Sequence, residues 1–167
     1  MTSINWIVLV YKIPSEPTKY RATVWREIKR LGGIYLQNSV CIFPDIDDVA
    51  LNVSSLANQI RNMGGTEYLF FTTSPTQAQA TELVSQFQSS RTEEYQALLL
   101  EIDELEQQSE EGAQLANISG LNDEFRRLKK QVALVKARDY FAAPLGTAIA
   151  TRLQKIGTQI LRMSKGT

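Results

Sequence analysis

The chain has no histidine and only one cysteine, Cys41, in 167 residues. Without histidine there is no Ser-His-Asp or Cys-His catalysis and no imidazole zinc site, and the commonest general base near neutral pH is missing. One cysteine excludes an internal disulfide, a thiolate zinc cluster and iron–sulfur ligation, and it suits a reducing compartment. No apolar run nears the ~18 residues of a membrane span, and no basic-then-apolar leader opens the chain, so a cytoplasmic protein without a membrane partner is expected. An excess of one charge is also lacking. Eighteen Lys and Arg offset eighteen Asp and Glu, so any attraction to nucleic acid must come from a local patch. What remains for chemistry is carboxylates, lysines, arginines, tyrosines and one thiol. That inventory favours binding or regulation over catalysis, and no cofactor is expected.

What is present is a repeat. Residues 5–13 (NWIVLVYKI) are nearly all apolar and rich in branched and aromatic side chains, the pattern of a central strand buried on both faces. Pro14 ends it, and Ser15-Glu16-Pro17 supplies helix-start chemistry. Tyr20, Val24, Ile28 and Leu31 follow at helical spacing until Gly32-Gly33, where glycine tolerates the left-handed cap. Residues 34–37 form a second strand. The order then recurs: strand 39–43 (SVCIF), Pro44, and Asp45 with Asp48 three residues on as an N-cap pair. An amphipathic helix follows through Val49, Val53, Leu56, Ile60 and Met63, then Gly64-Gly65 and a fourth strand, 67–73 (EYLFFTT). Two βαβ halves in tandem predict an α+β fold, a ferredoxin-like βαββαβ head over residues 1–75.

Residues 76–167 read as a helical extension, a helical hairpin plus a final helix. Ser74-Pro75-x-Gln77 has the form of a capping box. Leu83, Val84, Phe87, Tyr95, Leu98, Leu99, Ile102 and Leu105 mark a long helix. Gly112, Asn117, Ser119 and Gly120 mark a turn within 109–120, after which Leu121, Phe125, Leu128, Val132 and Val135 form a short heptad seam. Residues 93–111 hold eight acids and no base, whereas 124–138 hold six bases against Glu124 alone. An antiparallel hairpin would set these arms side by side, the charges choosing register and the apolar seam supplying stability. Ile149, Leu153, Ile156, Ile160 and Met163 outline the last helix.

Three stretches carry a resemblance. They are residues 6–33 (WIVLVYKIPSEPTKYRATVWREIKRLGG), 35–44 (YLQNSVCIFP) and 137–144 (ARDYFAAP). Together they resemble the N-terminal domain of the ChrB chromate-resistance regulator family, in the same order over most of the chain. The resemblance implies transcriptional control in metal-oxyanion stress. Longer members of that family continue into a second domain, so a separate chain supplying it is an expected partner. The first 75 residues are also similar to the small ferredoxin-like proteins of CRISPR adaptation and to the central module of phenylacetate-catabolon repressors. In the CRISPR-type nucleases an aspartate follows the tyrosine that ends strand one. Here the position is Lys12, so a metal-binding carboxylate has become a cation and nuclease chemistry is not expected to carry over.

Lys19, Arg21, Arg26, Lys29 and Arg30 lie on or beside helix one, with Lys12 close by, and read as an anion or nucleic-acid face. Its ligand would be chromate, sulfate or weakly held DNA; an ordinary basic helix face fits the same residues. Tyr20 and Trp25 could stack bases, but packing in a core or interface is the expected role. Asp45, Asp47 and Asp48 could hold a divalent cation, yet helix capping accounts for them without a metal. Cys41 reads as a small buried hydrophobe. Arg138, Asp139, Tyr140 and Phe141 read as structural, the first two clamping the arm onto the head and the aromatics packing beneath it. A homodimer is expected, because a sheet of this kind leaves a free edge and pairing two edges protects it. The rival reading is a small metal-dependent nuclease or oxyanion reductase centred on the aspartates or Cys41.

Overall fold

The computed structural model describes residues 3–111 and 117–166. Gly112 of the expected turn lies outside them. The order is β1 (Asn5–Lys12), α1 (Lys19–Arg30), β2 (Ile34–Gln37), β3 (Val40–Pro44), α2 (Val49–Asn62), β4 (Thr66–Thr73), α3 (Gln77–Glu110), α4 (Ile118–Ala137) and α5 (Pro144–Lys165). The fold is α+β, one four-stranded antiparallel sheet with five helices among the described residues. Two compact units divide it after Phe87, within α3.

In the first unit the strands run β2-β3-β1-β4. Antiparallel pairing joins β1 to β3 from Trp6↔Pro44 to Val10↔Val40, and joins β1 to β4 from Asn5↔Thr73 to Lys12↔Thr66. The apolar β1 is central as expected, but its two faces differ. Ile7 and Leu9 are fully buried in a core with Val24, Ile28, Phe43, Val53, Leu56 and Ile60. On the opposite face Trp6 is buried, with Phe87 of α3 stacked 5.8 Å from it, whereas Val8 and Val10 are only half-buried.

Each Gly-Gly pair closes its helix by one mechanism. Gly32 and Gly64 adopt φ of 78° and 84°, the left-handed conformation that glycine enters without strain. Gly33 N–H then donates to Ile28 O, and Gly65 N–H to Ile60 O, completing Schellman motifs. The second glycine of each pair is required by contact. A Cβ on Gly33 would meet the Phe43 ring at 2.4 Å, and one on Gly65 would meet Lys12 O at 2.4 Å. The helix starts differ from expectation. Asp48 occupies the N-cap position of α2 but makes no side-chain capping bond. At α3 the cap is Thr76, whose Oγ1 accepts from Gln79 N–H. Ser74 instead accepts from Trp6 Nε1–H at 2.9 Å, so the indole of the core takes the hydroxyl that a capping box would have used.

The second unit holds the rest of α3 with α4 and α5. Tyr95, Ile102 and Leu105 of α3, Leu121, Leu128, Val132 and Val135 of α4, and Ile149, Leu153, Ile156 and Ile160 of α5 form one core. The seam is therefore shared by three helices. Asn117 precedes α4, and Ser119 and Gly120 lie inside its first turn. No helix among the described residues is long and apolar enough to cross a membrane.

Candidate anion-binding groove

Helix α1 brings Arg21, Ala22 and Trp25 beside the end of β1 (Tyr11, Lys12, Ile13), Tyr35 of β2, and the turn residues Asn38 and Ser39. Between them lies an open groove of about 950 Å³. Ser39 makes the turn with φ of 63°, and its carbonyl accepts from Tyr11 N–H at 3.1 Å. The groove contains two cations and no acid among its lining residues. Neither Lys12 nor Arg21 has a carboxylate partner among the described residues. Tyr11 and Tyr35 share a hydroxyl–hydroxyl bond of 2.9 Å. Burial raises both phenols above their ordinary range, and at Tyr35 the bond to Tyr11 raises it further. Both stay protonated, so neither adds negative charge that would repel an anion.

The five basic positions of α1 separate onto two arcs of the helix. Arg21, Trp25 and Lys29 follow one another at four-residue spacing, Arg21 and Trp25 line the groove, and the Lys29 ammonium lies 5.5 Å from the Trp25 ring centre. Lys19, Arg26 and Arg30 occupy the other arc. Lys19 lies over the Tyr20 ring at 5.9 Å. Arg30 binds the Glu27 carboxylate, which that contact holds below its usual range. Packing in a core or an interface was the expected role of Trp25, and the core is not where it lies: the indole is 53% exposed. Val24 and Ile28 occupy the core stripe, and a residue one step beyond Val24 is turned about 100° away from it.

Other candidates lie elsewhere. Asp45, Asp47 and Asp48 line the approach to α2; Asp45 N–H donates to Asn5 O, and Asp47 has φ of 47°. Among the described residues no group of three or more Cys, Asp or Glu side chains is arranged to hold a metal ion. Cys41 is fully buried, and loss of hydration pushes its thiol up to about 12, far from a reactive thiolate.

The Arg138–Phe141 motif works inside the second unit. Arg138 is bidentate on Glu94, with Nη2–Oε1 at 2.5 Å and Nε–Oε2 at 3.3 Å. Asp139 accepts from Tyr95 Oη–H at 2.9 Å and from Ala143 N–H at 3.0 Å. Phe141 O accepts from Gln88 Nε2–H at 2.8 Å. Arg91, 2% exposed, lies beneath, its Nε 2.9 Å from Glu94 Oε2 but off the line a hydrogen bond needs. The clamp expected toward the head thus binds α3 of the bundle. Gly146 completes it, because a Cβ there would meet Tyr95 Oη at 2.7 Å.

A family profile described as Protein ChrB, N-terminal, matches residues 21–165. The chain belongs to the ChrB N-terminal family. The match covers α1 from Arg21 onward, the tyrosine-bearing β2, and the Arg138–Phe141 motif, while β1 with Tyr11 and Lys12 precedes it. No curated protein and no solved structure matches the chain. Within this ChrB-type chain, reasoning from sequence found Arg21, Trp25 and Lys12 but did not join them to Tyr11 and Tyr35. The available signal was strand alternation: Tyr35 pairs with Cys41 and Cys41 with Leu9, so Tyr35 shares a face with Leu9 and, two residues on, with Tyr11.

Proposed function

We propose that this chain is a regulatory module of a chromate-resistance system, built on a ferredoxin-like head whose groove holds a tetrahedral oxyanion. Membership of the ChrB N-terminal family supports the context. The order β2-β3-β1-β4, antiparallel throughout with two helical crossovers, supports the ferredoxin-like reading. One observation carries the site: Lys12 and Arg21, without carboxylate partners, line a groove whose lining contains no acid and is bordered by an exposed indole. Arginine offers a planar fork and lysine a point charge, the pair that suits sulfate-shaped anions or a backbone phosphate. The neutral phenols and the Asn38 amide add donors.

Calorimetric titration with sulfate, a redox-inert stand-in, and with chromate tests the reading. Binding is expected for both, and the double variant Lys12→Gln, Arg21→Gln weakens it at least roughly tenfold, since a charged hydrogen bond contributes about 1.5–3 kcal/mol. A second arm titrates labelled promoter duplex at low salt. DNA binding that the same variant removes, without sulfate binding, identifies backbone phosphate as the ligand. Absence of all three interactions overturns the reading.

A further inference from the structure

Strand β4 lies at one edge of the sheet and is bonded to β1 alone. Which of its backbone groups remain open follows from β1. Tyr11 N–H donates to Ser39 O, and Asn5 O accepts from Asp45 N–H, so the odd residues of β1 turn their peptide groups toward β3. The even residues Trp6, Val8, Val10 and Lys12 turn theirs toward Thr72, Phe70, Tyr68 and Thr66 of β4. Glu67, Leu69 and Phe71 therefore direct N–H and C=O outward, and among the described residues no backbone partner meets them on that side.

Proteins usually protect such an edge with lysine, proline, a bulge or a short strand. β4 has eight residues, no lysine and no proline, and it runs in unbroken register with β1. Its one carboxylate, Glu67, is neutralised by Arg61 at 2.7 Å. Three large aromatics stand in solvent along it: Tyr68 at 64%, Phe70 at 54% and Phe71 at 59% exposed.

We propose that β4 pairs antiparallel with β4 of a second copy of this chain, with Leu69 opposite Leu69 on a two-fold axis. The strand is its own complement in that register. Glu67 falls opposite the second copy's Phe71, so the odd positions exchange the open hydrogen bonds and the two Glu67 carboxylates stay apart. Tyr68 falls opposite the second copy's Phe70, and this happens twice. These even positions form the non-hydrogen-bonded pairs, where Cα atoms approach to ~4.5 Å and side chains touch most closely. Aromatic residues bury about 150–250 Å² each, and these three keep more than half of it in solvent, so they supply the apolar centre, though not the whole, of an interface of the usual ~800 Å² per partner. No charged group on the strand calls for a different partner, and β4 takes no part in the groove lining. The two sheets become one of eight strands.

Sedimentation velocity on the full chain across the micromolar range tests this. The wild type is expected to sediment at twice its 18.8 kDa at tens of micromolar. Y68K/F70K places lysine opposite lysine in both pairs and is expected to be monomeric, with an unchanged far-ultraviolet circular dichroism spectrum. Y68K/F70E places lysine opposite glutamate in the same register and is expected to recover the dimer. Amide exchange on the wild type gives a readout that needs no variant: the Leu69 and Phe71 amides are slow at high concentration and fast on dilution. A wild type that stays monomeric, a folded Y68K/F70K that stays dimeric, or a folded Y68K/F70E that stays monomeric overturns the proposal.

Discussion

At Cys41 the thiol sits fully buried in β3, between β2 and β1, and loss of water around the thiolate moves its pKa from 9.0 to about 12. Tyr11 and Tyr35 beside it are raised for the same first reason, burial. A folded-state pKa above the unfolded value means that the unfolded chain releases its proton first. The stability tied to Cys41 is therefore whole below pH 9 and lost as pH rises from 9 through 12. Urea midpoints measured across that window are expected to fall with rising pH, and a Cys41→Ala variant, which has no thiol to titrate, is expected to fall less. Equal slopes would show that the tyrosines alone set the dependence. The burial of Cys41 was legible in the sequence, because it sits in an apolar run next to Ile42 and Phe43. The outward turn of Trp25 was legible too, one step off the Val24–Ile28 stripe, but its place beside Arg21 at the groove depended on where the helix crosses the sheet.

Among the elements, the heptad spacing of α4 located its buried face, since Leu121, Leu128, Val132 and Val135 all lie in the core of the second unit. Replacing the fully buried Leu128 with Ala removes a side chain that three helices enclose and is expected to cost about 2–5 kcal/mol. A urea titration checks it, and an unchanged midpoint would show that the seam is not packed. Charge was less legible. The acidic stretch of α3 meets α4 through Glu94–Arg138 and Glu101–Arg127, but Asp103 and Glu106 are held by Arg152 of α5. Charge totals along a sequence have no geometry, so they could not reveal that a third helix competes for the same acids. The start of α3 repeats the lesson: Ser74 and Thr76 are both capping residues by type, and the Trp6 indole decides between them.

For the whole molecule, the division after Phe87 sets a sheet core apart from a bundle core, with α3 continuous through both. Units with separate cores depart from two-state unfolding when they lose structure independently. Scanning calorimetry is expected to resolve two transitions, with Leu128→Ala lowering only the one that belongs to the bundle. A single transition that moves as a whole would show that the continuous helix couples both units into one cooperative fold.

The sequence by itself determined the order of elements, the α+β class, the glycine pairs that end α1 and α2, and the core faces of the helices. Each follows from local rules: helical or strand periodicity, the left-handed cap, and proline at strand ends. Only the tertiary structure decided which side chains gather at a site. The groove unites Lys12, Arg21 and Tyr35 from three elements, and strand pairing beside a crossing helix creates that juxtaposition. It also decided which strands are left at the edges. β1 and β4 are both apolar in sequence, yet pairing on two sides covers the backbone of β1 while β4 keeps one row of donors and acceptors open.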